Sequence, residues 1–113
     1  MTNQQFSFCF AEALNYSEAD AFISDLALSS IWEDAPDTEI SEDRLDQLRE
    51  IWTAAHRTVR DIRAKIGLSQ IQFAAHFGIP RRTLEDWERT GSCAPYIRLM
   101  MQEAIGLVSI RRN

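Results

Sequence analysis

The stretch LSQIQFAAHFGIPRRTLEDWERTG, residues 68–91, decides how this chain of 113 residues folds. Ser69 suits the N-cap of a helix that runs through Phe77, and Gly78 is placed to end it. Pro80 suits the first turn of the next helix, where its missing N–H is not needed, and Gly91 closes that helix after Thr90. Two helices joined by so short a turn must bury their facing sides together. Phe73, Phe77, Ile79, Leu84 and Trp87 supply the apolar faces, and Ala74 is the small residue at a close crossing. Gly78 supplies the positive φ that the turn requires.

With Leu84 and Trp87 facing inward, a step of 100° per residue puts Arg82, Glu85, Asp86 and Arg89 on the outer face, with Arg81 at its edge. The planar arginine fork matches the O6/N7 acceptor pair of guanine. Glu85 or Asp86 can accept from a cytosine amine, and acids there repel phosphate on misdocked sequences. The plainer reading is a solvated helix laced by Arg81–Glu85, Arg82–Asp86 and Glu85–Arg89 pairs, each worth ~0.2–0.5 kcal/mol. DNA reading is preferred because exposed pairing has no use for the Ala74/Gly78 turn apparatus.

These residues, with LSQ at 68–70 and WERTG at 87–91, resemble the Cro/lambda-repressor-like (XRE) helix-turn-helix family over residues 57–108, about half of the chain. The resemblance implies that the helix 80–89 enters the DNA major groove and reads bases with its first residues. Carried over by position, Arg81, Arg82, Glu85 and Asp86 form the base-facing group. Thr83 lies near the backbone or a thymine methyl, and Arg89 near the backbone. Ser69 and Gln70, opening the preceding helix, meet a phosphate through backbone N–H groups and the amide. Many members have Ser or Thr where this chain has Pro80, so one hydroxyl–phosphate contact is missing.

Outward from the motif, Thr58 and Asp61 form a capping box for a helix carrying Val59, Ile62 and Ile66 inward, stopped by Gly67. Pro95 starts a last helix with Ile97, Met100, Met101 and Ala104 inward. Towards the N-terminus, Ser41 caps an amphipathic segment, 42–56, with Leu45, Leu48, Ile51, Trp52 and Ala55 on one side. Ser17 is a plausible N-cap for a helix over 17–32 with Ala19, Phe22, Ile23 and Leu26 on one face. Between them EDAPDTEIS, 33–41, reads as an acidic turn-like linker. FSFCF at 6–10 alternates as a short strand would, or forms a hydrophobic arm. The expectation is an all-α chain: a lambda-repressor-like helix-turn-helix bundle at 57–113 with an acidic helical extension at 1–56.

Charge divides the chain in the same place. Residues 1–50 hold 12 acids against Arg44 and Arg49, a net −10, while residues 51–113 hold 10 bases against 5 acids, a net +5. A basic half is what phosphate binding requires. The acidic half has three readings: it completes the fold, binds another protein, or folds over the arginine face and restrains it. Cys9 and Cys93 stand 84 residues apart with no CxxC, as free thiols of a reducing cytosol do. No positive n-region opens the chain, and no apolar run approaches the ~20 residues of a membrane helix. A soluble cytoplasmic protein of prokaryotic or mobile-element origin is expected.

His56 and His76 have no metal-ligand spacing, and Asp34, Asp37, Glu39, Glu42 and Asp43 lack the EF-hand spacing and its glycine. No metal or cofactor is expected. Trp32, Trp52 and Trp87 fall at inward positions. Without a Gly-rich phosphate loop, nucleophile elbow or paired carboxylates, the chain does not read as an enzyme. The expected function is sequence-specific binding of double-stranded DNA in transcription regulation, as a homodimer on an inverted repeat, because one short helix reads too few base pairs. The helix of Met100 and Met101, or the FSFCF arm, would supply the dimer contact. The alternative is an antitoxin-type interaction module whose acidic half binds a partner protein and whose helix-turn-helix serves autoregulation.

Overall fold

Every regular element in the computed structural model, which describes residues 1–32 and 41–112, is helical. In chain order these are α1 (Asn3–Ala13), α2 (Ala19–Ala27), α3 (Glu42–His56), α4 (Val59–Ile66), α5 (Gln70–Phe77), α6 (Arg81–Thr90) and α7 (Pro95–Ala104), with a 3-10 turn at Ser30–Trp32. The all-α class expected from the sequence holds. The helices gather into two compact units, one over Met1–His56 and one over Arg57–Ser109. Ile110 to Arg112, expected with the second segment, cluster with the first. The acidic linker read at 33–41 lies, up to Ile40, outside the described residues.

FSFCF is helix, not strand. Thr2 Oγ1 accepts from the Gln5 N–H at 3.0 Å and the Thr2 N–H donates to Gln5 Oε1 at 2.8 Å, so a capping box starts α1. Phe6, Cys9, Phe10 and Ala13 then fall on one helical face and are all buried. The alternation seen at 6–10 is a coincidence of a longer 3.6-residue period. Ser17 does not cap α2: its N-cap is Glu18, with no side-chain bond. Nor is 17–32 one helix. The chain leaves the helix after Ala27, and the Trp32 indole N–H turns back to the Leu26 carbonyl at 2.8 Å. Gln5 Nε2 donates to the Ile31 carbonyl at 3.1 Å, which ties this turn to α1.

Ser41 Oγ accepts from the Arg44 N–H at 3.1 Å, and α3 follows with Leu48, Ile51, Ala54 and Ala55 buried. Trp52 is half-buried and donates its indole N–H to the Tyr16 carbonyl at 3.0 Å. Both α1 and α2 pack on α3, with Phe22, Leu48 and Ile51 fully enclosed. Arg112 lies over the Phe6 ring, 4.1 Å from its centroid.

In the second unit Thr58 and Asp61 make the capping box of α4, and Gly67, at φ +67°, ends the helix. Ser69 and Gln72 form another box on α5. Gly78, also at φ +67°, donates from its N–H to the end of α5 and turns the chain into α6. Pro80 is the N-cap of α6 and Arg81 its first helical residue, one position later than the sequence reading placed the start. Val59, Ile62, Phe73, Ala74, Leu84, Cys93 and Met101 form the core, and Phe77, Ile79 and Trp87 pack against it half-buried.

One face is turned differently from the expectation. Met100 is 66% exposed and Ala104 is exposed, whereas Met101 and Gln102 are buried. A polar cluster sets this rotation. Gln102 Oε1 accepts from Arg57 Nη1 at 3.0 Å, Gln102 Nε2 donates to the Arg98 carbonyl at 3.2 Å, and Arg98 Nη1 donates to the Arg57 carbonyl at 2.6 Å. A buried amide must be satisfied, so Gln102 takes the inward place that Ala104 was given.

Candidate nucleic-acid interface

Leu84 is fully buried and anchors α6, with Trp87 half-buried one turn on. The anchoring leaves Arg81, Arg82, Glu85, Asp86 and Arg89 all exposed, and Thr83 half-buried. The charges on this face are partly engaged. Arg81 Nε meets Glu85 Oε1 at 2.9 Å, and Arg89 Nη2 meets Asp86 Oδ1 at 3.1 Å. Arg82 makes no ion pair among the described residues. Of the three pairs weighed for a solvated helix, Arg81–Glu85 forms, and Asp86 joins Arg89 in place of Arg82. Exposed pairs of this kind are worth ~0.2–0.5 kcal/mol, so a phosphate or a guanine edge can displace them.

At the start of α5, Ser69 is committed to its cap. Its Oγ accepts from the Gln72 N–H at 3.2 Å, and its own N–H donates to Gln72 Oε1 at 3.0 Å. The Ser69 N–H expected to face a phosphate is therefore occupied. The first-turn N–H groups that follow have no partner within the helix. The Gln70 side chain is hydrogen-bonded to Glu88.

Glu88 is the residue that sequence reasoning missed. Its side chain is 2% exposed. Arg63 grips the carboxylate from α4, Nε to Oε2 and Nη2 to Oε1, both at 2.8 Å. A third guanidinium nitrogen, Nη1, donates to the Leu68 carbonyl at 3.1 Å. Arg60 Nε adds a bond to Glu88 Oε1 at 3.4 Å. The Arg63 bonds hold the Glu88 carboxyl below its ordinary range, assisted by Gln70 and Arg60 and opposed by burial. The carboxylate thus joins α6 to α4 and to the first residue of α5, and Arg63 extends the link to the turn before α5. A helical wheel was the available signal: Glu88 stands four residues after Leu84, 40° from the buried direction.

On the side of α6 that carries Trp87, an apolar groove of about 300 Å³ opens between Phe77, Ile79, Trp87, Ile97, Met100, Met101 and Ala104. His76 is exposed and edge-on to Phe77, and His56 stacks on Trp52 with centroids 4.1 Å apart. Among the described residues no three His, Cys, Asp or Glu side chains gather as a metal site would need. No described helix is long and apolar enough to cross a membrane. The chain matches no protein-family model, no curated protein and no solved structure.

Proposed function

We propose that the chain is a sequence-specific regulator that binds double-stranded DNA, reading the major groove with α6 in a helix-turn-helix unit of the Cro/lambda-repressor-like kind. The observation that carries this reading is the geometry of α6. Leu84 holds the helix to the core while Arg81, Arg82, Glu85, Asp86 and Arg89 all stand exposed, with Arg82 left free of an ion pair among the described residues. An unpaired arginine fork on such a helix suits the O6/N7 edge of guanine. Selection of bound sequences from a random DNA pool tests the reading. Arg82→Ala should then weaken specific binding by ~1–3 kcal/mol and relax the preference at one base position, while Gln70→Ala weakens binding to all sequences alike. An Arg82→Ala protein with unchanged affinity and motif sinks the assignment of α6.

A single unit of this size covers one half-site, so the reading includes a homodimer on an inverted repeat. The exposure of Met100 beside the apolar groove supports α7 as its contact. Sedimentation showing a monomer both free and on DNA excludes the dimer.

A second reading is favoured by the first unit. Leu28 is 77% exposed, and Phe8 and Leu14 are also exposed large apolar side chains on a strongly acidic segment. These features suit an antitoxin-type module that holds a basic partner protein. A random pool from which no sequence is enriched favours this alternative.

A further inference from the structure

We propose that Arg60, on α4, is a DNA-backbone contact of the same interface, held in place by the Glu88 carboxylate. The inference rests on α6 lying in the major groove. Arg63 neutralises Glu88 by itself, through two parallel bonds of 2.8 Å. Arg60 adds a single longer bond of 3.4 Å and keeps 69% of its side chain exposed. The three charged groups together carry one positive charge beyond balance, and the excess sits on the exposed member. The bonded atom of Arg60 is Nε, so both terminal nitrogens of its fork have no partner among the described residues.

Helix geometry puts that charge on a particular flank. Seven residues turn a helix by 700°, 20° short of two full turns, so Glu88 stands in line with Arg81, about 10 Å farther along α6. The major groove is ~12 Å wide and a helix with its side chains ~10–12 Å across. Flank positions therefore face the groove walls, which are phosphodiester, and not the base edges. Arg60, tethered at Glu88, continues the cationic flank begun by Arg81. It takes part by charge and reads no sequence. Arg60 has no place in the motif window of residues 68–91, because it reaches the interface from the preceding helix.

The test uses the full chain and a duplex enriched from a random pool, with affinity measured across a range of salt concentrations. Arg60→Ala should lower the slope of log affinity against log salt by about 0.9 and weaken binding about eightfold near ~0.1 M salt. The enriched sequence should stay the same, and the loss should be equal on unrelated duplexes. Arg60→Lys, which keeps the charge, should restore the slope, and neither variant should shift the melting temperature. A wild-type slope in Arg60→Ala, a changed base preference, or failure of Arg60→Lys to restore the slope overturns the proposal while leaving the reading of α6 intact. Absence of any duplex preference in the wild-type protein overturns both.

Discussion

The unit from Met1 to His56 contains no glycine, whereas the unit from Arg57 to Ser109 contains all four in the chain. Each of the four has a positive φ, at the end of a helix or just beyond it. The interiors differ as well. In the first unit the enclosed groups are mostly aromatic and aliphatic, with the Gln5 amide bonded to the Ile31 carbonyl, and the ion pair of Arg49 with Asp20 is exposed. In the second, a buried carboxylate on α6 is bonded to Arg63 and Arg60 of α4, and a buried amide on α7 is bonded to Arg57, just before α4. Apolar contact is non-directional and tolerates small rotations, whereas a bidentate ion pair fixes an angle. Angular control is concentrated in the half that presents the arginine face, where matching to a duplex would demand it.

The contrast can be broken by substitution. The largest effect is expected in the apolar interior of the first unit, where Phe22→Ala should cost ~3–5 kcal/mol in chemical denaturation. A loss below ~1 kcal/mol would mean that this core is not what holds α1–α3 together. Next comes Glu88→Ala, which strands the half-buried Arg63 and should cost about 3 kcal/mol. Asp20→Ala, at the exposed pair of the first unit, should leave the denaturation midpoint where it was. Equal shifts from these two would erase the distinction between the interiors.

Glu88 also gives the contrast a pH dependence. Its carboxyl lies below the ordinary 4.5 in the folded chain. The stabilisation is therefore complete above about pH 4.5, and it is lost as pH falls through the lower folded-state value. Melting curves of the wild type should show this acid decline more steeply than those of Glu88→Gln, and parallel curves would count against the role of the carboxylate.

Gly78→Ala ranks third. No atom lies within 4 Å of the added methyl, so the cost of ~1–2 kcal/mol is that of a left-handed backbone alone. Leu28→Ala, at the C-cap of α2 with φ −98°, should change stability by less than ~0.5 kcal/mol. Asp86→Asn, like Asp20→Ala, should barely change stability, by at most ~0.5 kcal/mol, since the group is exposed. Its effect on DNA is the informative one: tighter binding to all sequences marks Asp86 as a restraint on Arg89, and a lost preference at one position marks it as a reader of cytosine.

Much of the second unit could be read before its structure was seen, because its helix ends are written in local chemistry. Thr58 with Asp61, Ser69, and Gly67, Gly78 and Gly91 each stop or start a helix through bonds within a few residues. The first unit has such signals where Thr2 with Gln5 starts α1 and Ser41 starts α3, but none at α2. There α2 begins at Glu18 with no side-chain cap, and the break before Ser30 follows from Trp32 reaching Leu26 and Gln5 reaching Ile31, the latter 26 residues away. The exposed positions on α6 followed from the inward direction of Leu84 and Trp87. Glu88 was only half legible: the wheel turns it towards the core, unlike Glu85 and Asp86, but its partner Arg63 lies 25 residues upstream, beyond any short-range pattern. Gln102 escaped for the same reason, with Arg57 45 residues away, and its burial turned Met100 and Ala104 outward.

Each unit encloses one cysteine. Cys9 is fully buried in α1, and burial with Glu12 nearby pushes its thiol up to about 11. Cys93, between α6 and α7, is buried too and raised by burial, with Arg98 pulling the other way. Alkylating reagents consume thiolate, so at neutral pH neither sulfur should be labelled while its surroundings stay closed. Labelling then becomes a clock. The rate at which each cysteine acquires a tag, followed peptide by peptide, times the opening of its own half without a single substitution.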